Sequence, residues 1–475
     1  MTSYVVGIDN GSQSSKVTVY DGNGRTCAVG RAPLPANDTP RPGVVEYPDD
    51  VLWESIADAC RLAMADFDGD PHEIVGIGLC TIRFCRAVLR ADGSLAQPVQ
   101  SWMDERVGRP YRAETIDAAY VTTSSGYITH RMTGNFTDTV ANYQGMWPID
   151  AAAWAWSSHE QDFQRTGMSR DMLFDLAMPG EVLGTLTSGA AAVTSLPQGV
   201  PVVATANDKA VEALGAGLRD PGTLLLSLGT YIAGMSVGDA GRTGTTSFWT
   251  NFGSEPGKHL YESGGIRRGM WTVSWFRDLL GEGTAREAEA RGDTVEEMLG
   301  REALGVPAGS DGLLTVPDWL APPEAPARRG SILGFDGRQG RAHLFRSILE
   351  GIAMTMKERT DEMADELGTT FERVVVTGGG ASSDLMTQIV ADVFGLECVR
   401  LDGGSSAGRG AAICAAVATG LVPTFHEGVD RFAVVKDRTA PISGNTRIYQ
   451  ELAEVYRDVR STTDQIYRRS RAILG

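Results

Sequence analysis

The chain has 475 residues, 60 of them acidic and 43 Lys or Arg, for a formal charge of −17. A composition of 42% hydrophobic and 22% charged residues excludes a disordered or fibrous chain, and the acidic balance excludes a basic surface for nucleic acid or anionic membrane. The length corresponds to roughly two to three domains, and 57 glycines without a collagen-like period point to tight turns and close backbone approaches.

Met1 to Asp9 has no basic n-region followed by a long apolar stretch, so no signal peptide is expected, and no run approaches the ~18 apolar residues of a membrane span. Tyr4–Ile8 and Lys16–Tyr20 read as strands around Asn10-Gly11, a strong hairpin-turn signal, with a second turn at Asp21-Gly22-Asn23-Gly24. Further strands are expected at Ile74–Leu79, Val200–Ala204, Leu224–Leu228 and Val374–Thr377. Phe345, Ile348, Leu349, Ile352 and Met356 repeat at helical spacing. So do Ile448, Leu452, Val455, Tyr456 and Val459, with Asn445 as the expected N-cap. Cys27, Cys60, Cys80, Cys85, Cys398 and Cys414 are scattered through mostly apolar segments without zinc spacing, as expected of free buried thiols in a cytoplasmic α/β protein.

One pattern occurs twice. Val5 to Ser12 and Leu224 to Thr230 each run apolar strand, small or acidic residue, Gly, hydroxyl, and then a second strand. A hairpin repeated once per half implies two related domains facing each other, with a boundary near residues 205–215.

The repeat also suggests chemistry. Gly11-Ser12 and Gly229-Thr230 offer backbone N–H groups and a hydroxyl at a tight turn, as a phosphate requires, or are simply two hairpins. Asp9, ending the first strand, could hold water around Mg²⁺ or cap the turn. Thr377-Gly378-Gly379-Gly380 followed by Ser383 is a strand, a glycine turn and a helix start. It suits a nucleotide lying on the backbone, or a plain turn capped by Ser383. Asp208, after the strand ending at Thr205 and before an apolar helix, is either an N-cap or a general base. Arg83 and Arg86, with Asp104, Arg106 and Arg109, form a charged group beside an apolar strand, and Arg267-Arg268 form another after Gly264-Gly265.

Taken in order, these motifs resemble the FGGY carbohydrate kinases of the actin/hexokinase-like ATPase superfamily, over nearly the whole chain. Gly330 to Phe335 with His343-Leu344 and Ser347 to Glu350 is similar to the family's second signature, and Gly408-Arg409-Gly410-Ala411-Ala412 to its late Gly-Ala helix. The resemblance implies two ribonuclease H-like domains with mixed sheets flanking a central cleft: residues 1–209 for sugar binding and 210–475 for nucleotide binding. It implies Asp208 as catalytic base and Asp9 with Asp208 at Mg²⁺. ATP would rest on Gly11, Ser12, Gly229, Thr230, Gly378, Gly379, Gly380 and Ser383. The acceptor would meet Arg83, Phe84, Asp104, Asp208 and Lys209.

Where xylulokinases carry Gln-Met-His this chain has Ile82-Arg83-Phe84. Glycerol kinases carry Arg-Glu there, which Arg83 matches and Phe84 does not. The expected activity is ATP-dependent phosphorylation of a small ketose or polyol, a pentulose such as xylulose or ribulose first. A glycerol or tetritol kinase and a non-kinase actin-like ATPase are the alternatives, together with a sugar-acid kinase motivated by Arg83 and Lys209. No nucleic-acid or membrane partner is expected, and a homodimer is left open.

Overall fold

The computed structural model describes residues 3–114, 117–322 and 324–474. Two mixed sheets carry the architecture. The first contains β1 (Tyr4–Asn10), β2 (Ser14–Asp21), β3 (Thr26–Pro33), β4 (Ile74–Thr81), β5 (Val182–Thr185) and β6 (Pro201–Ala204), in the order β5-β6-β4-β1-β2-β3. The second contains β7 (Thr223–Leu228), β8 (Ile232–Gly238), β9 (Phe248–Phe252), β10 (His259–Ser263), β11 (Arg373–Thr377), β12 (Glu397–Leu401) and β13 (Val435–Thr439), in the order β9-β10-β8-β7-β11-β12-β13.

Six strands of the second sheet repeat the order of the first, and β9 is an added edge strand. In each, a central strand forms an antiparallel hairpin with its successor (β1 with β2, β7 with β8) and lies parallel to a later strand on its other side (β4, β11). Another parallel strand and then an antiparallel edge strand complete that side in both. The duplicated sequence pattern is therefore a duplicated sheet. The central strands read as continuous apolar runs because both faces are covered: Val5, Val6 and Ile8 are fully buried, as are Leu224, Leu225, Leu226 and Leu228.

Helix α1 (Val51–Ala65) covers one face of the first sheet, where a Cβ at Gly30 would stand 1.9 Å from the Ala59 carbonyl oxygen. Helix α2 (Ser124–Thr133) belongs to the same half. Between the sheets lie α3 (Asp208–Gly215) and, further along the chain, α7 (Ser406–Ala418). They meet backbone to backbone: a Cβ at Gly410 would lie 2.0 Å from the Val211 carbonyl oxygen, and one at Gly7 of β1 1.9 Å from that of Gly408. The glycines of the late Gly-Ala segment are thus contact points. A distinct apolar cluster joins the halves here, with Cys80 and Ala206 from the first, Leu225, Met235 and Val375 from the second, and Val211 and Ala411 from the two helices.

The second half adds α4 (Gly269–Leu279), α5 (Arg341–Leu367), α6 (Asp384–Phe394) and the long α8 (Ser443–Leu474) around its own core. Asn445 is not an N-cap: α8 already begins at Ser443, and the Asn445 amide donates to Asp392 Oδ2 at 2.7 Å. All six cysteines are free, five of them buried and Cys27 partly so. Among the described residues no helix is long and apolar enough to cross a membrane.

Candidate active site

The β1–β2 and β7–β8 connections are both three-residue turns, 11–13 and 229–231, and each leaves its hydroxyl residue, Ser12 or Thr230, exposed. Beside the second turn runs the glycine turn after β11. Ser227 of β7 pairs with Thr377 of β11, so both loops leave the sheet side by side. Gly378 has φ +81°, and a Cβ there would come within 2.7 Å of the Leu228 carbonyl oxygen, so only glycine fits. A Cβ at Gly380 would likewise meet the Met270 sulfur at 2.9 Å, whereas Gly379 faces open space. The structure thus gathers Gly229, Thr230 and Gly378–Gly380 at one end of the second sheet.

A cavity of about 400 Å³ opens there. Thr377, Gly378 and Ser382 line it together with Asp402, Gly403 and Lys436. Ser382 takes the place expected of Ser383, whose hydroxyl caps α6 by accepting from the Met386 N–H at 3.2 Å.

Two carboxylates of the first half, Asp9 and Asp208, face residues of the second. Asp9 is the penultimate residue of β1, and its Oδ2 accepts from the hydroxyl of Ser405, the N-cap of α7, at 2.6 Å. Burial raises the Asp9 carboxyl above its ordinary value, the Ser405 bond and Lys16 pull it back, and Asp208 and Glu212 add to the rise. Asp208 is the first residue of α3. The cap is Asn207, whose Oδ1 accepts from the N–H groups of Lys209 and Ala210, both at 3.1 Å. With capping done by its neighbour, the Asp208 carboxylate stays 29% exposed. Burial raises it too, opposed by Arg83 and Lys209. A raised, partly open carboxylate at a helix start is suited to accepting a proton.

The residues present fit Mg²⁺ and ATP. Among the described residues no group of three or more His, Cys, Asp or Glu could hold a metal. Asp9 and Asp208 could supply the one or two carboxylates that Mg²⁺ takes beside phosphates and water. The exposed turns and the open backbone at Gly379 leave room for phosphates and a nucleoside.

Lys209 departs from its expected place. Its Nζ donates to Glu212 Oε2 at 2.8 Å and to Ser227 Oγ at 2.9 Å, and Thr377 Oγ1 donates to Glu212 Oε1 at 2.6 Å. The ammonium is thus spent tying α3 to the roots of the two nucleotide-side loops and is not presented to an acceptor. Burial pushes against the charge of Lys209, but Glu212 and Asp208 outweigh it and hold its pKa above the ordinary value.

Arg83 follows β4, and Phe84 adopts φ +62°, a left-handed conformation costing about 1–2 kcal/mol in a residue with a Cβ. The Arg83 guanidinium lies 5.2 Å from the Phe84 ring centroid. Its two terminal nitrogens donate to Glu262 at 2.6 and 2.8 Å, and Nε sits 3.7 Å from Asp208 Oδ1. Asp104 is not available to an acceptor: its buried carboxylate accepts from the Val45 and Arg106 N–H groups and from the Arg106 side chain. Arg86 is spent on the carbonyls of Arg106, Val107 and Arg109.

Sequence reasoning missed Glu212 and Glu262. Glu212 had a signal, its i,i+3 spacing from Lys209 on a short helix. Glu262 had none, being 179 residues from Arg83.

Comparison with known proteins is consistent with this geometry. The model of the FGGY family of carbohydrate kinases, N-terminal domain, matches residues 4–112 and 108–215, and that of the C-terminal domain matches 224–419. An uncharacterized sugar kinase of Escherichia coli strain K12 is 46% identical over 99% of this chain and 96% of its own. The xylulose kinase of Bacillus subtilis strain 168 is 25% identical over 98% of each chain. Among solved structures, gluconate kinase from Lactobacillus acidophilus superposes with a TM-score of 0.84 at 19% identity, covering 99% of this chain and 100% of that one.

Proposed function

The chain belongs to the FGGY family of carbohydrate kinases and is an ATP-dependent sugar kinase with two actin-like ATPase domains, and from that premise we propose that it phosphorylates a hydroxyl of a small ketose or polyol, a pentulose such as xylulose or ribulose first. The carrying observation is the position of Asp208, on the first turn of α3 between Arg83 on one side and the loop-anchoring Lys209 on the other. The xylulose kinase relative supports the pentulose.

In this reading the half up to residue 209 supplies most of the acceptor site and residues 210–475 most of the nucleotide site. Asp208 removes the acceptor hydroxyl proton as the oxygen attacks the terminal phosphoryl group, and Arg83 orients its carboxylate. Ser12, Gly11, Gly229 and Thr230 present hydroxyls and N–H groups to the phosphates, and the nucleoside lies along Gly378–Gly380. Asp9, with Asp208, would hold Mg²⁺, which supplies charge neutralisation on the phosphates when bound. Bringing the two halves together excludes water and limits ATP hydrolysis. ATP as donor supports a cytoplasmic location.

The test is ADP release with MgATP across ketoses, polyols and sugar acids, with Asp208→Asn alongside. One acceptor raising turnover about a hundredfold, lost in the variant, is the expected result. Equal ADP release without any acceptor would put an actin-like ATPase in its place.

A further inference from the structure

Two cations flank Asp208, and each is already partnered. Lys209 is held by Glu212 and Ser227, facing the second sheet. Arg83, from the first half, is held by Glu262 of β10 in the second half, through both terminal nitrogens. Glu262 is fully buried, and Asn251 of β9 donates to its Oε2 at 3.3 Å. A buried carboxylate with a two-point guanidinium partner is a strong, directional contact. It consumes the face of Arg83 with which a carboxylate ligand would pair, leaving only Nε directed at Asp208.

Building on the kinase reading above, we propose that Glu262 is a specificity-determining positioning residue: by occupying Arg83 across the two halves it makes the acceptor site select an uncharged sugar or polyol and reject a sugar acid. An acceptor carboxylate would have to displace Glu262 from Arg83 or lie unpaired beside Asp208 and Glu262, and an unpaired buried charge is costly. The hydroxyls of a neutral acceptor need only single hydrogen bonds, which Asp208 and the Nε edge of Arg83 provide. The fold does not decide this point, since a gluconate kinase shares it.

The experiment compares xylulose, ribulose, ribitol and glycerol with gluconate and xylonate as acceptors for wild type, Glu262→Gln and Glu262→Asp. Steady-state ADP release is measured, with calorimetric acceptor binding in the absence of nucleotide. Wild type is expected to prefer the best neutral acceptor over either acid by about a hundredfold or more. Glu262→Gln frees Arg83, so the acid-to-neutral ratio of kcat/KM rises about tenfold or more, with KM for the neutral acceptor raised and KM for MgATP unchanged. Glu262→Asp keeps the charge but is one methylene short, so the neutral-acceptor KM rises while discrimination against acids persists. Wild type using the acids as well as neutral acceptors overturns the proposal, as does a folded Glu262→Gln with an unchanged ratio. If Glu262→Gln does not fold, the wild-type preference and the Glu262→Asp effect decide, and the absence of either overturns it. Acceptor-dependent ADP release surviving in Asp208→Asn would instead sink the catalytic reading, whatever Glu262 does.

Discussion

Asp208 is placed where a carboxylate can work because Asn207 relieves it of capping. Replacing it with Asn keeps the shape and removes the proton acceptor. The expected result is a fall in acceptor-dependent turnover of about 10²–10⁴-fold, with binding of a non-hydrolysable ATP analogue retained in calorimetry. Loss of both together would mean that the residue is structural. Another buried carboxylate behaves differently. Asp138 has no solvent exposure and accepts from Ser125, Thr123 and the Thr139 N–H, all at 2.7 Å, yet burial outweighs these bonds and pushes it from 3.8 to about 6. Its folded pKa lies above its unfolded one, so the unfolded chain ionises first as pH rises, and stability falls between about pH 4 and pH 6 by on the order of 3 kcal/mol. Asp138→Asn lacks that dependence, so its destabilisation relative to wild type is expected to be larger near pH 4 than near pH 8. Urea melts showing the same difference at both pH values would refute this.

Two helices, α3 and α7, decide how the halves meet. Because Gly410 lies backbone to backbone against Val211, Gly410→Ala forces a steric displacement, with an expected loss of about 3 kcal/mol or more in chemical denaturation. Gly379→Ala makes the contrast: its added methyl meets no protein atom within 4 Å, so stability stays near wild type while nucleotide affinity falls. A Gly410→Ala protein as stable as its parent would show that α3 and α7 can slide apart. The Lys209–Glu212 pair belongs to this scale too, since it ties α3 to β7 and β11. Lys209→Met and Glu212→Gln each strand a largely shielded charge, so the double replacement is expected to cost less than the sum of the singles, by about 1–3 kcal/mol. Additive costs would mean that the two charges do not interact. Much at this scale was legible in the sequence: the hairpins at 11–13 and 229–231, the glycine turn at 378–380 and the α5 periodicity all rest on local turn chemistry and spacing. Asn445 was misplaced because a local N-cap signal competed with a tertiary bond to Asp392.

For the whole molecule, a site shared by two sheets, as proposed, is expected to couple binding to closure. A neutral acceptor and a non-hydrolysable ATP analogue together are expected to raise the melting temperature by more than the sum of their separate effects, since each favours the arrangement the other needs. Strictly additive shifts would argue that the halves do not move on binding. The sequence by itself determined the duplicated α/β architecture, the two glycine–hydroxyl hairpin turns and the place of Asp208 at a helix start, because each is written in contiguous residues whose backbone preferences act over a few positions. It could not show that α7 returns from the far end of the chain to pack on β1, that the Val45 N–H donates to Asp104, that Lys209 reaches Ser227, or that Glu262 holds Arg83. The farthest of them join the two ends of the chain, as Gly7 and Gly408 do, and Asp9 and Ser405 beside them. Only the packing of two sheets against each other, with burial forcing each charge to find a partner, brings them into contact.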